Sequence, residues 1–242
     1  LYKSLTYKES DIKGGAKEVL FYRQALWSGY HLIKKNEEFS NELIVKVYQI
    51  VKEVNDSIRP DQTETVIMKR GSGLLGSSIV YTPPRGKLII QTKLDNLYDY
   101  LNNDDKYPHD PLIKLAISHY QFEAIHPFGD GNGRAGRILS ILYLIQKRLL
   151  EVPILYLSAF IIKQKEDYYD LHNRVTTRMN WEDWIIYMLK SIEETSLYTI
   201  RKIEEIDKLF NTILTLVNQK LPHIRKETVE KLFEQPYISP KT

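Results

Sequence analysis

Residues 134–149, RAGRILSILYLIQKRL, are apolar on almost every side of the helix that their spacing predicts, with Ile138, Leu139, Ile141, Leu142, Leu144 and Ile145 in steps of one and two. A helix with so little polar face must be enclosed by other helices. The rest of the chain offers them. In KEVLFYRQALWSGYHLIKK the set Val19, Tyr22, Leu26, Tyr30 and Ile33 recurs every three or four residues and reads as core-facing. Ser40 is a good N-cap for a helix that carries Leu43, Val47, Ile50, Val51 and Val54 and stops before the Arg59-Pro60 break. Further helices are expected at 93–102, 111–125, 166–177, 181–194 and 197–220. In the last of these Ile203, Ile206, Phe210, Ile213 and Val217 describe a face packed on its own domain.

Residues 66–91, VIMKRGSGLLGSSIVYTPPRGKLIIQ, break the helical period with β-branched pairs, glycines and Pro83-Pro84. One or two hairpins are expected here, with residues 82–85 confined to a turn or an edge. The GSGLLG within it is a literal G-x-G-x-x-G, but SSIVYTPP, extended and ended by proline, comes after it where a dinucleotide fold needs a helix. The sequence thus predicts a mainly α protein with a small β flap.

Composition narrows the function classes. With 242 residues, 43% of them hydrophobic, a sizeable core is available. A net charge of +3 supplies no strong field for nucleic acid or anionic membrane, so any phosphate must be bound by a local site. The absence of cysteine excludes disulfides and thiolate zinc sites and suits a reducing cytoplasm. There is no apolar run of bilayer length. The sequence opens at Leu1 and closes at Thr242, and the expectation is that parts of a longer protein lie beyond both.

The local site is HPFGDGNGRAGR, residues 126–137, which joins two helices. Asp110 and Pro111 open the first, DPLIKLAISHYQFEAI. Pro127 biases His126 away from helical geometry, so the histidine should stand where that helix ends. The second helix should begin near Arg134. Glycines between them let backbone N–H groups converge on an anion at a positive helix end, and Arg134 and Arg137, at i and i+3, can grip successive phosphates. Asp130 repels phosphate by itself but suits Mg²⁺ bridging two phosphates. As a calcium loop, DGNGRA would place Arg134 at a ligand position, which excludes that reading. His126, partly neutral near pH 7, can take a proton from an incoming hydroxyl. Phe128 reads as a packing anchor for the link.

These twelve residues match HxFx[D/E]GNGRxxR, the signature of the Fic family (filamentation induced by cAMP), and the resemblance extends over roughly Glu18 to Ser196. IVYTPPRGKL resembles the family's flap, and VPILYLSAFIIKQKEDYYDLHNRV and NWEDWIIYML resemble the family's helices downstream of the signature. The resemblance implies a Fic-fold helical bundle with a β-hairpin flap, acting as a protein adenylyltransferase. His126 would deprotonate a Ser, Thr or Tyr hydroxyl of a target that attacks the α-phosphate of ATP. Asp130 would hold Mg²⁺, Gly131, Asn132 and Gly133 would cradle the phosphates with Asn132 orienting the α group, and Arg134 and Arg137 would contact the β and γ phosphates. Tyr168 and Tyr169 fall at an adenine-side aromatic pair, and Ile79 and Val80 at a strand edge, between Gly73 and Tyr81, that pairs with the target's main chain. Transfer of another phosphate-linked group, removal of AMP, and nucleotide sensing by a DNA-binding regulator are the alternatives. Self-modification and homo-oligomer assembly stay open.

The expected organisation is an N-terminal helical part over 1–60, a catalytic core over 61–196, and a C-terminal helix over 197–242 with the start of a winged helix, LPHIRKETVEKLFEQPYISPKT. DNA would be reached only through that last part. Many family members restrain themselves with an inhibitory [S/T]xxxE[G/N] helix. No glutamate here fits the pattern, and the expectation is that it lies before Leu1.

Overall fold

The computed structural model describes residues 15–60, 67–69 and 78–233. The readings placed on GSGLLG, on flap residues 73–77 and on the end of the expected winged helix lie outside these. The order of elements is α1 (Gly15–Asn36), α2 (Asn41–Lys52), β1 (Ile67–Lys69), β2 (Ser78–Tyr81), α3 (Lys87–Asn102), α4 (Pro111–Ile125), α5 (Asn132–Gln146), α6 (Leu157–Lys163), α7 (Lys165–Arg178), α8 (Trp181–Lys220) and α9 (Lys226–Phe233). The protein is mainly helical, as its periodicity requires, and among the described residues no helix is long and apolar enough to cross a membrane.

The chain divides into two compact units, one of them Phe21–Thr195. Its centre is α5, where Ile138, Ile141 and Leu142 are wholly buried and Leu144 and Ile145 nearly so. Each such side chain contributes roughly 1.5–3 kcal/mol, which is why the most apolar segment takes the middle. Helices α2, α4 and α6 pack on α5, and α3 packs on α4. Ser40 caps α2 through Leu43 N, and Asp110 caps α4 by accepting from Leu112 N at 2.8 Å, with Pro111 in the first turn. Trp184 of α8 is fully buried and donates from Nε1 to Ala116 O at 2.8 Å.

Several boundaries differ from the sequence reading. α3 begins at Lys87, so KLIIQ is helical rather than extended. Its β-branched residues obscured the deciding pattern: Ile90, Leu94, Leu97 and Leu101 all fall on one buried face. Among the described residues the hairpin pairs β1 with β2 antiparallel, Met68 opposite Ile79. α8 is continuous across ETSL, because nothing there breaks a helix. Val19 is 38% exposed rather than core-facing.

The second unit holds the far part of α8 and α9. Ile203 and Ile206 are exposed, contrary to the expected packed face. Phe210 meets Phe233 edge-on at 5.2 Å, and Val229 is buried. The stretch read as the opening of a winged helix contributes α9 among the described residues.

Candidate active site

Six residues separate the end of α4 from the start of α5, and the two ends are built differently. His126 is the C-cap of α4, and its N–H donates to Phe122 O at 3.0 Å. It leaves the helix in the left-handed region, at φ 49°, not in the extended conformation that proline after it favours. The cause is Arg59, which is 2% exposed. Its Nε donates to His126 O at 2.8 Å, its Nη2 to Pro84 O, and its backbone N to Pro127 O at 2.9 Å. A buried cation therefore takes up the carbonyls at the end of α4 and fixes the peptide that would otherwise adopt proline's preference.

The chemistry of His126 is set by its burial and by its partner at the end of α4. Its Nδ1 lies 3.2 Å from Glu123 O, and only a ring N–H can meet a carbonyl there, so Nε2 keeps the lone pair. Burial lowers the imidazole's pKa to about 4, and the charge of Arg59 acts in the same direction; the Glu123 carbonyl and Asp130 oppose it. The base is thus neutral at pH 7 although a helix C-terminus alone would favour the cation.

The start of α5 is open. The helix begins at Asn132, two residues earlier than expected, because Gly131 serves as its N-cap at φ 84°. The first intrahelical bond runs from Ala135 N to Gly131 O, so the turn from Asn132 to Arg134 presents backbone donors at a positive helix end. A side chain at Gly131 would be strained there and would press on Lys52, whose Cδ is 2.9 Å from the β-carbon position. The link itself is held from below. Phe128 is fully buried and stacks on Tyr48 with centroids 3.8 Å apart. The Asn132 amide is engaged with Phe128, accepting from its N at 3.0 Å and donating to its O at 2.8 Å. Asn132 therefore braces the link with its side chain and offers the cleft its backbone.

His126, Asp130, Gly131, Asn132, Gly133, Arg134 and Arg137 line one cleft of about 470 Å³, with Lys165, Tyr168, Tyr169 and His172 of α7 opposite. The Nε of Arg137 donates to Ser158 Oγ at 2.7 Å, which aims the guanidinium over Gly133. Asp130, largely exposed, is paired with Lys52 and accepts from Gly131 N at 2.6 Å. The Lys52 hydrogen bond chiefly keeps its carboxyl below the usual range. No cluster of three metal-ligating side chains occurs among the described residues. The single Asp130 carboxylate is the kind of donor that Mg²⁺ takes when bound phosphates supply further ligands.

Tyr168 is a core residue with an edge on the cleft. Its hydroxyl donates to His119 Nε2, the Nδ1–H of His119 to Ser140 Oγ, both at 3.0 Å, and Ser140 to Gly136 O at 2.9 Å. Tyr169 is the more open of the pair, with Lys165 Nζ 5.7 Å from its ring centroid. Ile79 and Val80 lie on β2, whose second edge has no partner strand among the described residues. The Tyr81 ring, at the end of β2, meets His172 at 5.9 Å. Sequence reasoning missed Arg59, Glu123 and His172. Arg59 stood out only as a helix break, and Glu123 and His172 drew no reading; the one signal for Glu123 is a carboxylate among the apolar residues of α4.

The Fic/DOC family model matches residues 38–144, the stretch from the start of α2 through the link and most of α5. Over that stretch the chain carries a Fic/DOC family domain. A protein adenylyltransferase of Caenorhabditis elegans is 27% identical over 202 residues, covering 83% of this chain and 36% of the relative. A probable protein adenylyltransferase of Aquifex aeolicus is 32% identical over 93 residues, covering 38% and 28%. The chain thus spans about a third of the length of these curated relatives. Among solved structures, a Fic family protein from Desulfovibrio desulfuricans superposes with a TM-score of 0.62 at 19% identity, covering 83% of this chain and 58% of that one. The C. elegans protein superposes at 0.58 with 22% identity, covering 82% and 56%. The Fic fold is the common element.

Proposed function

We propose that this protein transfers AMP from ATP to a Ser, Thr or Tyr hydroxyl of a target protein. The observation that carries the reading is the tautomer and setting of His126: Nδ1 is taken up by Glu123 O, which leaves the lone pair on Nε2, and the residue lines the cleft that also holds the open end of α5, Arg134 and Arg137. A neutral base beside an anion site is what nucleophilic attack on a phosphate requires. The names of the C. elegans and Aquifex relatives support the same activity.

In this reading His126 Nε2 takes the proton of the target hydroxyl as its oxygen attacks the α-phosphorus. The bond from that phosphorus to the bridging oxygen breaks, and pyrophosphate leaves with the electron pair. The N–H groups of the first α5 turn hold the phosphates, while Arg134 and Arg137 bind the β and γ groups. Asp130 would hold Mg²⁺, which when bound neutralises charge on the α and β phosphates. Lys52 must release that carboxylate first. β2 offers main-chain groups along which a target segment could extend the hairpin, and Ile79 and Val80 sit on it.

The test is incubation with ATP labelled at the α or the γ position, Mg²⁺ and a cell lysate, beside a His126→Ala control. Label entering protein from the α position alone, and lost in the control, is expected. Label from the γ position alone refutes AMP transfer in favour of phosphorylation.

A further inference from the structure

Glu123 has no part in the steps above, yet it belongs to the wall of the same cleft. It sits on α4, is 6% exposed, and its Oε1 has no hydrogen-bond partner among the described residues. A β-carbon on Gly136 would stand 2.5 Å from that oxygen and one on Gly133 would stand 4.0 Å away. The carboxyl therefore lies against the face of α5 that carries Gly133 and Gly136, with room made for it by the second of these glycines, and lines the cleft one turn in from the helix end where phosphate is expected.

The groups facing it are few. From α5, Arg137 acts on its charge. From α7, Tyr168 and Tyr169 feel the carboxylate, and both keep their protons. On α4 itself His119 is buried and neutral, its pKa lowered to about 3, and His126 is neutral at the helix end. A carboxylate and a bound polyphosphate would thus compete for the Arg137 guanidinium, and like charges so placed disfavour each other, the more so because the Glu123 carboxyl is itself buried.

We propose that Glu123 is a further contact of the phosphate site and enters the nucleotide complex as the neutral acid, its O–H donating to a phosphate oxygen, so that binding takes up a proton. This rests on the reading of the cleft as a polyphosphate site. Burial supports the assignment by raising the free carboxyl to about 7, against the pull of Arg137, so that near neutral pH both forms are populated. Bound phosphate raises it further. The binding-competent acid is present below pH 7 and is lost as pH rises through 7, and apparent affinity falls with that fraction.

The experiment is calorimetric titration of ATP with Mg²⁺ into the full chain and into Glu123→Gln, a neutral isostere, at pH 6 and pH 8 in buffers of different ionisation enthalpy. At pH 6 the two proteins bind alike. At pH 8 Glu123→Gln binds about ten-fold more tightly than wild type, the factor set by the neutral fraction. At pH 8 the wild type also takes up close to one proton more than the variant. The protonation of ATP itself is common to both and drops out. Equal affinities and equal proton uptake at pH 8 overturn the proposal while leaving the polyphosphate site standing. Absence of ATP binding by the wild type overturns both. Should the variant not fold, the ¹³C signal of the Glu123 carboxyl in the wild type decides. It titrates near 7 and moves upward with ATP, whereas ordinary titration unmoved by ATP refutes the assignment.

Discussion

The end of α4 and the start of α5 are opposite poles of two helices a few residues apart, and the protein treats them in opposite ways. At the α4 end the carbonyls are answered internally by Arg59, a buried cation that leaves no binding role for that pole. At the α5 end Gly131 caps without any side-chain hydrogen bond, and the donors of the first turn face the cleft. Closing one pole orients His126, which burial keeps neutral with help from the Arg59 charge, and leaving the other open makes an anion site. The same backbone physics thus supplies a base and a cradle, according to which pole the protein satisfies itself.

The largest test of this contrast removes what holds the two poles together. Phe128→Ala takes away the ring stacked on Tyr48 and should lower stability by about 3–5 kcal/mol, read by chemical denaturation. It should also weaken ATP binding. Unchanged binding would mean that the link does not depend on the core beneath it. Next in size, Arg137→Ala should weaken ATP about 10-fold or more by deleting a charged contact at the open pole, read by calorimetry. Equal affinity would remove that arginine from the site.

The closed pole is tested by Arg59→Met. The neutral imidazole is the active form, so the rate of α-label transfer falls as pH drops through the His126 pKa, about 4 in the wild type. Without the Arg59 charge the imidazole protonates more readily, and this acid limb should move upward. A limb that stays in place, whatever the loss of rate, would reduce Arg59 to a structural role. The smallest effect belongs to Lys52→Ala. The exposed pair with Asp130 contributes about 0–1 kcal/mol, so thermal stability should scarcely change. The Mg²⁺ concentration needed for half-maximal activity should nevertheless fall a few-fold, since no ammonium has to be displaced from the carboxylate.

Legibility in the sequence depends on the range of the interaction. The α4–α5 pair, the packing of Phe128 and the placement of His126 at a helix end are readable because they rest on periodicity, on proline and on residues a few positions apart. The start of α5 is not, because Gly131 caps through positive φ, with no side-chain signal. Arg59 is beyond reach: its partner His126 is 67 positions away. Glu123 betrays itself only as a charge inside an apolar helix, and that its oxygen lies against Gly136 is a property of packing between helices. Asn132 shows the limit of a motif, since its place in the link is legible but not that its amide is engaged with Phe128.

Arg59 also donates to Pro84 O, three residues beyond β2. One guanidinium is therefore a shared datum for the strand proposed to receive the target and for the imidazole proposed to activate it. A target segment lying along β2 is gauged from the same point as the base, so a displacement of the hairpin's footing would change the reach to Nε2 without altering a single residue of the phosphate cradle.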